Sequence, residues 1–122
     1  MPIFLFNGIM IIEKGYDIMK QGNQFWYGIK LKDANKEYIN PSVVSKIIFN
    51  FDDSTKEYNE TSKDVVFDEQ NNLFKIYLTQ EETQKMKDKV KIDVRVKFKN
   101  EEILGTHVRE EYIFDSLNKE VI

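Results

Sequence analysis

Apolar and polar residues alternate along most of this chain, in runs short enough to be single strands. In FWYGIKLK, residues 25–32, Phe25, Tyr27, Ile29 and Leu31 share one face, with Trp26, Gly28, Lys30 and Lys32 on the other. That period of two predicts a half-buried strand. The loop DANKEYINPS precedes VVSKIIFNF, where Ile47, Phe49 and Phe51 oppose Lys46, Ile48 and Asn50 in a second core strand. The polar stretch DDSTKEYNETSKD predicts a surface loop or a weak edge strand. VVF and LFKIYL flank the turn formers DEQNN and predict a hairpin.

The period changes within LTQEETQKMKDKVKIDVRVKF, residues 78–98. Thr79 followed three residues later by Glu82 is a capping box, so a short helix is predicted over about 79–87. From Val90 the chain alternates again, with Val90, Ile92, Val94, Val96 and Phe98 inward and Lys91, Asp93, Arg95 and Lys97 outward. The last strand, EILGTHVREEYIF, has Leu104, Thr106, Val108, Tyr112 and Phe114 on the buried parity, which Glu110 breaks, so Glu110 is expected at the sheet's end or in solvent. A loop of Asn100, Glu101 and Glu102 would pair Phe98 with Leu104, Asp93 with Arg109, Lys91 with Glu111 and Val90 with Tyr112. Those charge pairs favour this register over a two-residue slip, each by about 0.2–1 kcal/mol.

The leader MPIFLFNGIMII is mostly apolar, broken by Asn7-Gly8, the dipeptide suited to a type I′ turn. It predicts a hairpin or an arm that either completes its own sandwich or adds to a neighbouring subunit's sheet edge. Phe4, Phe6, Ile9 and Ile11 are the candidate contact residues. About seven short strands with no βαβ rhythm predict an antiparallel β-sandwich. The division is an arm at 1–14 and one sandwich domain at 15–122.

With 122 residues there is room for one core, and 41% hydrophobic with 13% aromatic residues fits a globular domain. A net charge of −3 gives no sign of a nucleic-acid partner, and no apolar run reaches membrane-spanning length. The leader lacks a basic start and a small-residue cleavage site, so the chain reads as soluble and unprocessed. With no cysteine there is neither a disulfide framework nor a thiolate nucleophile.

Candidate chemistry is sparse. His107 lies on the outward parity with no positioned nucleophile near it in sequence, and no serine sits in a nucleophile elbow. Asp52, Asp53 and Glu57 lack the glycine and ligand spacing of an EF-hand and read as a solvated turn. The pairs Glu81/Glu82, Glu101/Glu102 and Glu110/Glu111 carry no glycosidase signal, because strand neighbours point to opposite faces. The stripe Lys89, Lys91, Arg95, Lys97 and Lys99 is interrupted by Asp93 and lies beside an acidic strand. Trp26 is expected in the core; the alternative is a ring for stacking on sugar, with Tyr27 or Tyr58 nearby. The expectation is a non-enzymatic chain with no catalytic residue, metal or cofactor.

FWYGIKLKDANKEYINPSVVSKIIFNF, followed by LTQEETQKMKDKVKIDVRVKFKNEEILGTHVREEYIFDSLNKEVI, resembles small proteins encoded by phages and prophages of Gram-positive bacteria. It is also similar to the immunoglobulin-like N-terminal domain of phage baseplate upper proteins. The resemblance spans roughly residues 15–122 and is strongest in the LTQEET word, the strand after it and the SLNKEVI tail. It implies an immunoglobulin-like fold and a virion component of the tail or baseplate, made in the host bacterial cytoplasm. Its partners would be other virion proteins, including further copies of itself, and neither nucleic acid nor membrane. The alternatives are a head decoration protein and a host-wall carbohydrate-binding module.

Overall fold

The computed structural model describes residues 11–14, 19–20, 22–106 and 108–114. The strands are β1 (Ile11–Lys14), β2 (Met19–Lys20), β3 (Phe25–Lys32), β4 (Val44–Phe51), β5 (Ser54–Tyr58), β6 (Val65–Asp68), β7 (Leu73–Leu78), β8 (Lys89–Phe98), β9 (Ile103–Gly105) and β10 (Arg109–Phe114). A helix, α1 (Gln80–Gln84), joins β7 to β8, and a 3-10 turn at Pro41–Val43 precedes β4.

The strands form two sheets, β1-β3-β7-β6 and β2-β10-β8-β4-β5, with β9 also paired to β8. Among the described residues pairing is antiparallel except between β2 and β10, which run parallel. The order reproduces the A-B-E-D sheet facing the G-F-C sheet of an immunoglobulin-like sandwich, with β5 in the place of an added C′ strand. More than seven strands result because the polar stretch supplies β5, residues 11–14 and 19–20 add one strand to each sheet, and the last strand is split.

Alternation built the core as the chain pattern requires. Tyr27, Ile29 and Leu31 from β3 and Val90, Ile92, Val94, Val96 and Phe98 from β8 are all buried, as are Ile47, Phe49 and Phe51 of β4. Aromatic rings then bridge the sheets. Phe74 of β7 lies 5.8 Å from Phe49, 5.4 Å from Tyr58 and 4.8 Å from Phe67, while Tyr27 meets Phe51 edge-on at 5.9 Å. Tilted and edge-on geometries set positive ring edges against negative faces.

The capping box forms as its spacing predicts: the Glu82 N–H donates to Thr79 Oγ1 at 3.2 Å, and the Thr79 N–H to Glu82 Oε1 at 2.9 Å. The helix is shorter than the two turns expected, ending at Gln84 with Lys85 as its C-cap. Tertiary anchors fix this crossover: Met86 is buried, and the Thr83 hydroxyl donates to the Asn23 carbonyl at 2.7 Å while accepting from the Gly22 N–H at 3.1 Å.

The charge-based register of the final hairpin is overturned. Leu104 pairs with Val96, and further along Arg109 pairs with Ile92, Glu110 with Lys91, Glu111 with Val90 and Tyr112 with Lys89. The turn decides this. The Phe98 N–H donates to the Glu102 carbonyl and the Glu101 N–H to the Phe98 carbonyl, closing the loop on Lys99, Asn100 and Glu101. Glu101 takes the positive φ, 75°, that ends such three-residue loops.

An extra residue then enters between Thr106 and Arg109, where the Thr106 hydroxyl accepts from the Val94 N–H at 3.0 Å. One added residue exchanges the faces of everything after it. Val108 and Tyr112, expected inside, are therefore 58% and 69% exposed, while Ile113 is buried. Glu110 does reach solvent, but as the ordinary member of an outward parity.

Candidate contact surfaces

With both inner faces filled, the exposed groups of interest lie on outer faces and edges. On the outer face of the β10-β8-β4 sheet, Ile103, Val108 and Tyr112 are exposed among charged neighbours. The Lys89 ammonium sits 5.3 Å from the centre of the Tyr112 ring, so that ring is flanked by positive charge.

Trp26 is on the outer face of the other sheet and 40% exposed, contrary to its expected place in the core. Its parity matches Lys30 and Lys32, and no second layer among the described residues covers it enough to bury it. Its ring lies 5.2 Å from that of Tyr77, whose hydroxyl donates to Gln24 Oε1 at 3.1 Å. Tyr27, by contrast, is buried, and Tyr58 packs on Phe74. The three aromatics proposed for sugar stacking therefore do not form one platform. The partner of Trp26 is Tyr77, legible only once the β3-β7 register places the two opposite each other.

Asp52 and Asp53 make the β4-β5 turn, and the Asp52 carboxylate accepts the Lys91 N–H at 2.8 Å. Glu57 is separate, accepting from Asn59 Nδ2 at 2.8 Å. No group of three or more acidic, histidine or cysteine side chains able to hold a metal occurs among the described residues. A groove of about 520 Å³ lies between that turn and the end of α1, lined by both lysines and carboxylates, including Lys85, Lys91, Asp53 and Asp93.

Two polar clusters escape sequence reasoning. Lys56 points inward from β5 and its ammonium lies 2.9 Å from Glu82 Oε1 and 3.8 Å from Asp64. Burial would raise the Glu82 pKa, but the Thr79 N–H and the Lys56 ammonium outweigh it and hold the carboxyl below its ordinary value. At the far side of the core, the Tyr27 hydroxyl donates to Glu111 at 3.2 Å, and Arg109 Nε lies 3.8 Å from the same oxygen. The face exchange at Thr106 turns Glu111 inward, which no pattern in the last strand signals.

Of the arm residues, Ile11 begins β1, whose backbone pairs with β3 opposite Lys32. Phe4, Phe6 and Ile9, the Asn7-Gly8 turn and His107 lie outside the described residues. No protein-family model matches the chain, and no curated protein matches it.

Proposed function

We propose that this chain is a phage virion structural protein, a tail or baseplate assembly module that acts by protein-protein contact and catalyses no reaction. The observation that carries the reading is the combination of a closed, aromatic-filled core with apolar side chains left on outer faces, Ile103, Val108 and Tyr112 among them. The resemblance of residues 15–122 to small phage proteins and baseplate immunoglobulin-like domains supports the virion setting. Such a module grips neighbours through sheet edges and apolar patches, and the leader bearing Phe4, Phe6 and Ile9 is a further candidate contact. Imaging of intact particles tests this: density for the chain in the tail or baseplate is expected. Density on the head would make it a decoration protein, and absence from the particle would end the reading.

A second reading, host-wall carbohydrate binding, is favoured by the exposed Trp26 ring beside Tyr77. Glycan-array binding that disappears in Trp26→Ala, with the fold intact, is its signature.

A further inference from the structure

We infer that the β9 edge is a self-pairing site, through which two copies of this chain join antiparallel about a twofold axis at Leu104. The other sheet edges carry features that discourage pairing. β5 points the buried Lys56 inward, β6 ends in the Asp68–Lys75 ion pair, β2 ends in Lys20, and β1 contains Glu13 and Lys14. β9 reads Ile-Leu-Gly, has no charge, and among the described residues pairs only with β8.

Its hydrogen-bonding parity suits a second strand. The Glu102 carbonyl accepts from Phe98, and the Thr106 N–H donates to Val94, so even-numbered residues turn their backbone groups toward β8. The N–H and C=O groups of Ile103 and Gly105 therefore point away from it. A twofold axis at Leu104 sets Ile103 of one copy opposite Gly105 of the other, so all four outward residues form hydrogen-bonded pairs. On the outer face each Ile103, 58% exposed, lies over a glycine, where an added Cβ would meet nothing nearer than 3.7 Å. On the inner face Leu104, which already packs against the core, meets its own copy in the close, non-hydrogen-bonded position. The two cores thus become continuous.

Charge selects the antiparallel sense. The edge begins acidic, with Glu101 and Glu102, and runs on to the uncharged Thr106, while Arg109 beyond it is already held beside Glu111. Antiparallel pairing sets Glu102 opposite Thr106 of the other copy, away from its own like charge. Parallel pairing would set like charges side by side. A single strand pair is smaller than the about 1,200 Å² at which stable interfaces begin, so a reversible dimer is expected, strengthened where copies are held together in an assembly.

This inference deepens the contact reading above, but its test uses the isolated full-length chain. Sedimentation equilibrium should show a dimer fraction rising with concentration, and Ile103→Lys should weaken association at least tenfold with an unchanged circular-dichroism spectrum. Because the chain has no cysteine, Leu104→Cys gives a clean second measurement. The about 4.5 Å between Cα atoms of such a pair suits a disulfide, so oxidation should cross-link it much faster than the edge control Val66→Cys. A wild-type chain that stays monomeric at millimolar concentration overturns the pairing, as does a dimer unaffected by Ile103→Lys. Equal cross-linking at 66 and 104 would also overturn it. A monomer still found in particles would leave the virion reading standing, and a β9 dimer absent from particles would do the reverse.

Discussion

At the residue scale, Phe74 ties the two sheets together, since its ring touches aromatic partners from β4, β5 and β6. Phe74→Ala should lower unfolding free energy by about 3–5 kcal/mol in a denaturant titration, with the usual cavity cost included. Gly28 answers a different need. It leaves room for Leu73, which is buried on the outer parity of β7, and an added Cβ would come within 3.0 Å of the leucine's Cδ1. Gly28→Val is expected to cost about 1–3 kcal/mol. Adding Leu73→Ala should recover part of that loss, as a double-mutant cycle would reveal.

At the element scale, the crossover from β7 to β8 depends on Glu82, which both completes the cap and neutralises the inward Lys56. Thr79→Ala should cost about 1 kcal/mol through loss of one satisfied N–H. A folded-state pKa below the unfolded value means that Glu82's contribution is present above its ordinary pKa of 4.5. That contribution is lost as pH falls through the lower folded value. Glu82→Gln should therefore reduce stability at neutral pH and flatten its dependence on pH in that acidic window. Glu101 invites the opposite change: with φ at 75°, it holds the left-handed conformation at the β8-β9 turn. Glu101→Gly is expected to preserve the hairpin and raise stability by up to about 1 kcal/mol, since the lost Lys97 pair is a surface one.

At the scale of the whole molecule, the two inner faces are filled, and the exposed aromatic and apolar side chains lie on outer faces and rims. Trp26 and Tyr77 lie on the β3-β7 sheet, whereas Ile103, Val108 and Tyr112 lie on the other, so contacts on the two sides can be altered independently. Tyr112→Ser should leave thermal stability within about 0.5 kcal/mol of wild type, because the ring is largely in solvent. In the assembly reading it should nevertheless reduce incorporation into particles, measured by quantifying the chain in purified virions. Equal incorporation would remove that ring from the contact surface.

What alternation can encode was legible in the chain: β3, β4 and β8 and their buried faces follow from a period of two, β7 from an apolar run beside turn formers, and the helix start from Thr79 and Glu82. An all-β sandwich follows from those strands. Register was not legible in the same way, because the charge pairs that suggested it are worth only tenths of a kcal/mol, less than the geometry of a closed turn. A three-residue loop ending at Glu101 moved the pairing by two residues, and an extra residue beside Thr106 then reversed the faces of β10, placing Tyr112 outside and Glu111 against Tyr27. Likewise Trp26 is exposed because of what does not cover its sheet, a property of layers and not of any one strand. Local periodicity settles which side of a strand is apolar; only the assembled sheets decide which strands meet, in what register, and which apolar side chains remain outside.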